Sequence, residues 1–179
     1  TKAVIVVNLF GNMPEYDEIK KVCDKNNIYM IEDAAESLGS VYKEKRAGNF
    51  GIGSTFSFHR TKTITTGEGG MLLLDDDALF RRCHFLRDHG RSKEMHYFNS
   101  EVAYKYMPSN LQASLGYAQF QRIAELVEKK RHLLKYYRSF FADIVDLNVN
   151  HEPPEGRNGA WCTALVFGKG YGFDKEQVI

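Results

Sequence analysis

The stretch STFSFHRTKTITTGEGGMLLLDD, residues 54–76, holds two apolar runs around a polar, glycine-containing turn. Ser54 to His59 and Met71 to Asp76 each have the length and the β-branched or aromatic content of a strand. The TTGEGG segment between them turns the chain. A single lysine, Lys62, follows the first run by a few residues. It is either a solvated loop residue or an amine aimed into a cleft.

Working outward, Ala3 to Gly11 (AVIVVNLFG) is a short apolar run ended by glycine and predicts a buried strand. Pro14 to Asn26 has helical spacing, with Asn26-Asn27 as a stop signal. Ile28 to Asp33 (IYMIED) is the next strand. Strand, helix and strand with short joints predict a right-handed βαβ unit and a parallel sheet. Downstream, Ala78 to His89 reads as a helix with Gly90 at its C′ position, and Arg91 to Tyr104 as a loop. Pro108-Ser109-Asn110 is a helix start signal, and apolar spacing continues from about Leu111 to Asp143 as one long helix. Asn150 to Gly159 (NHEPPEGRNG) resembles a linker, and Ala160 to Phe167 (AWCTALVF) a further strand. This places a domain boundary between Ile144 and Pro154: residues 1–145 form a large domain with a long connecting helix, and 146–179 open a smaller one. The chain enters a strand directly after Thr1-Lys2 and stops at Gln177-Val178-Ile179 in a helical pattern, which reads as a piece of a longer protein.

Composition narrows the function classes. A hydrophobic fraction of 43% in 179 residues supports a packed core. Net charge is +1 with acids and bases interspersed, so no basic stripe for nucleic acid stands out. The densest basic run, Lys129-Lys130-Arg131 after Glu128, reads as a solvated helix face. No apolar run is long enough to span a bilayer. Cys23, Cys83 and Cys162 are widely spaced and form no CxxC pair, which suits a reducing cytoplasm and argues against a zinc site. No HExxH spacing occurs among the six histidines.

In open α/β sheets, ligands bind beyond the carboxyl ends of the strands. Asp33 and Lys62 both stand there, and a carboxylate and an amine at neighbouring strand ends could converge on one ligand. The plainer alternatives are a turn-forming or helix-capping aspartate and a solvated lysine. GEGG by itself is equally a hairpin turn, and it lacks both the Walker A pattern and GxGxxG.

Four segments occur together and in order: EDAAESLGS (32–40), GNFGIGSTFSFHRTKTITTGEGGMLLLDD (48–76), LRDHGR (86–91) and YKYMPSNLQASLGYAQ (104–119). In combination they resemble the DegT/DnrJ/EryC1/StrS family of sugar aminotransferases. The resemblance runs from the strand at Ala3 to Trp161. It implies part of the type I fold of pyridoxal 5'-phosphate (PLP) enzymes: an α/β fold with a mostly parallel sheet, flanking helices and the start of a small C-terminal domain. It implies PLP as cofactor, with Lys62 as the lysine that attaches it and shuttles a proton. Asp33 matches the carboxylate that pairs with the pyridine nitrogen. Ala35 matches a small residue against the ring, and Ser57 a phosphate-binding hydroxyl. Glu36 falls near the cofactor's phenolic oxygen, where an anion would have to be protonated, bridged by water or turned to substrate. His59 and Arg60, in the same loop, could meet substrate phosphate or a neighbouring subunit, or stay solvated.

The family often reads YNYRMSN where this chain has YKYMPSN, and Lys105 occupies the position of an asparagine that reaches the partner subunit's cofactor phosphate. A lysine can serve a phosphate as a point charge. The resemblance also implies a homodimer, a nucleotide-sugar substrate and an amino donor, with glutamate expected. The subtype is perosamine-synthase-like, with products for surface polysaccharide or natural-product sugars. The resemblance places a second phosphate-binding loop and a ring-covering aromatic before the first strand, so these residues alone are expected to turn over poorly. Two alternatives stand beside this reading. A sugar 3-dehydrase using pyridoxamine phosphate carries histidine in place of the lysine, which Lys62 argues against. A non-catalytic regulatory or binding protein of the same fold would keep the scaffold and lose turnover.

Overall fold

The computed structural model describes residues 1–177, so the final pair of the C-terminal helical pattern, Val178 and Ile179, lies outside the described residues. Lys175–Gln177 form a short 3-10 turn.

The central sheet has the order β1-β2-β5-β6. Strand β1 (Ala3–Val7) leads through helix α1 (Tyr16–Lys25) to β2 (Tyr29–Asp33), and the two strands pair in parallel. The crossover from β2 to β5 (Ser54–Ser57) carries a small hairpin, β3 (Val41–Tyr42) and β4 (Lys45–Arg46), in place of a helix. β2 and β5 are parallel, and β6 (Gly70–Leu73) returns antiparallel to β5 across the glycine-containing turn. The βαβ unit and the mostly parallel sheet expected from the sequence are therefore present.

Side chains alternate along each strand. Val6 and Met30 point to the face covered by α1, where they join Met13, Tyr16, Cys23, Ala34, Tyr42 and Ala47 in the core. Tyr16 stacks on Phe50 at 4.0 Å between ring centroids. The expected burial of the first strand holds for this face only. Ile5 and Val7 on the other face are 63% and 49% exposed, because no described element packs over them. The strand also stops at Val7, and Leu9–Gly11 make a 3-10 turn.

A buried polar network holds the helix side of the sheet. Glu32 is fully buried and accepts from Asn8 Nδ2 at 2.9 Å, Ser54 Oγ at 2.8 Å and the backbone amides of Gly48 and Phe50 at 3.0 Å. Asn8 also donates to Ser37 and accepts from the Tyr16 hydroxyl at 2.6 Å. Burial pushes the Tyr16 hydroxyl pKa far up, and the Glu32 carboxylate adds to this. These bonds satisfy groups that would otherwise destabilise the interior.

Several expected elements change when packed. Helix α2 spans Asp77–Leu86, with Asp76 capping the Leu79 amide at 2.7 Å. It ends before the expected C′ glycine, and Gly90 takes its positive φ of 59° in the turn beyond, next to His89 at 61°. The single long helix is two: α3 (Asn110–Phe120) and α4 (Ile123–Phe140). The helix starts where the Pro108-Ser109-Asn110 signal placed it, and Ser109 and Gln112 form a capping box there. The break follows Gln119, whose amide donates to the carbonyls of Leu115 and Thr65 and accepts from the Thr65 amide, tying the helix end to the loop after β5.

The tail differs most. β7 (Leu147–Val149) pairs with β9 (Leu165–Phe167), so only the end of the expected Ala160 to Phe167 strand forms. The linker-like stretch contributes β8 (Gly156–Arg157), which pairs with β3. Ala160 adopts a φ of 58°, which no strand tolerates.

Candidate active site

Strand register brings Asp33, the last residue of β2, opposite Thr55 in β5, whose carboxyl end is Ser57. Alternation sends Asp33, Thr55 and Ser57 to the open face, away from the Glu32 network. Asp33 Oδ1 accepts from the Ala35 amide at 3.1 Å and the Thr55 hydroxyl at 3.4 Å. Asp33 is thus also a turn former, as the plainer reading had it. Ser57 Oγ accepts from the His59 amide at 3.2 Å, which leaves its proton available.

Lys62 sits in the loop after β5, and its side chain is only 13% exposed. Its ammonium lies 3.7 Å from Glu36 Oε1 and 3.7 Å from the centre of the Trp161 ring. Among the described residues it makes no hydrogen bond. Glu36 in turn accepts from the Phe10 amide at 2.7 Å. The structure therefore brings Glu36 to Lys62 and binds Ala35 to the Asp33 carboxylate. His59 turns to Thr61 and lies 3.6 Å from Glu68. Lys105 donates to the Met107 carbonyl at 2.8 Å, in an exposed segment bridged to Asp88, and makes no described contact with Asp33, Glu36 or Lys62.

Sequence reasoning missed Trp161, Asn158 and Glu152. Glu152 Oε1 accepts from Arg131 Nη1 and Oε2 from Arg138 Nη1, both at 2.7 Å. Burial pushes its carboxyl pKa up, but the hydrogen bonds from Arg131, Arg138 and the Asn158 amide outweigh this and hold it at about 2. Asn158 Nδ2 donates to the Phe10 carbonyl at 3.0 Å. The only available signal was a lone tryptophan just past a proline-rich stretch. Cys162 beside it is no poised nucleophile: burial and the nearby Glu36 carboxylate raise its thiol pKa.

This set suits an anionic carbonyl cofactor. An unbonded, mostly enclosed amine supplies the attachment point. A carboxylate stands at a neighbouring strand end, and the buried Thr63 hydroxyl in the lysine loop has no partner among the described residues. An α/β sheet with a carboxylate and an enclosed amine at its strand ends defines the class, a small-molecule site at a sheet's carboxyl edge. The chain belongs to the DegT/DnrJ/EryC1/StrS aminotransferase family, whose model matches residues 1–179.

It is 40% identical over 169 residues to EpsN of Bacillus subtilis, whose name describes a pyridoxal phosphate-dependent aminotransferase. That match covers 94% of this chain and 44% of EpsN. It is 36% identical to a GDP-perosamine synthase of Vibrio cholerae, covering 93% of this chain and 45% of the relative. Among solved structures, GDP-4-keto-6-deoxymannose-3-dehydratase (ColD) with bound GDP-perosamine superposes with a TM-score of 0.89 at 27% identity, covering 99% of this chain and 50% of that one. The chain spans about half the length of the curated relatives it matches.

Proposed function

We propose that this chain is part of a PLP-dependent aminotransferase that transfers an amino group from glutamate to a nucleotide-linked keto-sugar. Perosamine-type 4-amination is the preferred subtype, in keeping with the similarity to GDP-perosamine synthase. The carrying observation is Lys62: an enclosed amine, free of hydrogen bonds among the described residues, in the loop after the parallel strand β5 and beside the carboxylate of Glu36.

When bound, the cofactor supplies an electron sink through its protonated pyridine ring. Lys62 Nζ would hold the cofactor and is the base that would take up and return the substrate proton. The Asp33 carboxylate would hold the cofactor's pyridine nitrogen and keep it charged. Ala35 would lie against the ring, and the Ser57 hydroxyl would donate to the phosphate. Glu36, already bound to the Phe10 amide, balances the charge of Lys62 and turns toward substrate. Lys105 would serve the phosphate of a partner subunit's site. The exposed Tyr97, Tyr106, Leu111 and Tyr117 support a homodimer that covers them. We assign residues 1–145 to the large domain and 146–179 to the start of the small one, in a cytoplasmic enzyme. The 3-dehydrase alternative is disfavoured because position 62 is lysine.

The test is visible absorbance of the complete protein with PLP, before and after borohydride. A covalent adduct on the Lys62 peptide that is lost in Lys62→Ala, with the cofactor converted to its amine form by glutamate, is the expected result. A folded, PLP-saturated protein with no trapped adduct refutes the aminotransferase reading.

A further inference from the structure

The segment from Glu152 to Trp161 is fastened along its length. Glu152 is gripped by two arginines of α4. Gly156–Arg157 pair with β3. The Gly159 amide donates to Ser40 Oγ at 2.8 Å, and Ser40 donates to the Gly11 carbonyl at 2.7 Å. A Cβ on Gly159 would meet the Leu38 carbonyl oxygen at 2.4 Å, so only glycine allows this approach. The Ala160 amide donates to Asn158 Oδ1 at 2.7 Å. Trp161 Nε1 then donates to the Thr61 carbonyl at 2.9 Å, one residue before the lysine.

These anchors place the indole face 3.7 Å from the Lys62 ammonium. We propose that Trp161 is a positioning residue: its ring holds the Lys62 amine against Glu36, while its N–H pins the loop that carries the lysine. The proposal rests on the assignment of Lys62 as the cofactor lysine for its functional meaning, but its physical content does not require the cofactor. Tryptophan is the side chain with the strongest attraction for a cation over its face. The charged and titratable groups that face this amine are the Glu36 carboxylate and, through Trp161's own segment, the Cys162 thiol. His59 and Arg60 lie in the lysine's own loop.

The ring favours the ammonium, which does not react with acylating reagents. In the complete cofactor-free protein, Lys62 acylation by acetic anhydride is followed by peptide mass spectrometry near neutral pH. Trp161→Ala is expected to react about fivefold faster near neutral pH, the factor for a cation–π contact of ordinary strength. Trp161→Phe keeps a ring face and stays within about twofold of the parent. Trp161→Leu fills the space without a π face and is expected to behave like Trp161→Ala, so a poorly folded alanine variant leaves the comparison intact. Equal rates in Trp161→Leu and the parent overturn the proposal. So does a Trp161→Phe variant that reacts as fast as Trp161→Leu, which would mean that side-chain bulk and not the ring face shields the amine. Failure of the parent to trap PLP would overturn the functional reading alone, because the acylation comparison uses no cofactor.

Discussion

Glu152→Gln tests whether the tail is fastened to α4 by charge. Glu152 is 18% exposed and Arg131 14%, and the carboxylate accepts three hydrogen bonds, from Arg131, Arg138 and the Asn158 amide. Its carboxyl is held at about 2 against an ordinary 4.5. Taken whole, that difference corresponds to about 3 kcal/mol, and solvent screening at the half-open Arg138 reduces it to roughly 2 kcal/mol. The sign follows from which state binds the proton first. The unfolded carboxyl protonates near its ordinary value, whereas the folded one resists to about 2. The contribution is therefore complete above pH 4.5 and is lost as pH falls toward 2. Urea midpoints measured from pH 7 to about 2.5 at constant salt should show the variant less stable by roughly 2 kcal/mol at neutral pH, with the gap closing in acid. A loss under about 0.5 kcal/mol at pH 7, or parallel pH curves for the two proteins, would refute the reasoning.

Asn8→Ala removes a donor to Glu32 and Ser37 and the acceptor for Tyr16 in a fully buried position, and should cost about 3 kcal/mol in chemical denaturation. Gly51→Ala should lower the melting temperature by an amount equivalent to at least about 2 kcal/mol, because its φ is +79° and the new Cβ would lie 2.3 Å from the Met30 carbonyl oxygen. A neutral result at either position would mean that the local backbone relaxes more than the packing implies.

The candidate site was partly readable before any fold was known. Lys62 and Asp33 stand out because each follows an apolar run at the end of a strand, and Ser57 because it alternates with Phe56 and Phe58 in the same run. Glu36 was readable as a position, but its bond to the Phe10 amide was not, since that contact joins two loops 26 residues apart. Trp161 was legible as a residue of the tail and illegible as a neighbour of Lys62, which precedes it by 99 positions.

Local physics in the sequence determined the βαβ start, the glycine turn between β5 and β6, and the Ser109 cap of α3. Each depends on side-chain period, turn chemistry or a capping pair within a few residues. Tertiary structure alone decided three things: which face of the sheet is covered, where the long helical pattern breaks after Phe120, and how the Asn150 to Gly159 stretch lies. That stretch has a linker's composition, yet Glu152, Gly156–Arg157 and Asn158 find partners on α4, β3 and the Phe10 turn. Proline and glycine disfavour regular structure but do not prevent a segment from being held when distant arginines and carbonyls meet it. Local composition carries no record of those distant partners, so only the folded chain shows that the segment carries Trp161 to Lys62.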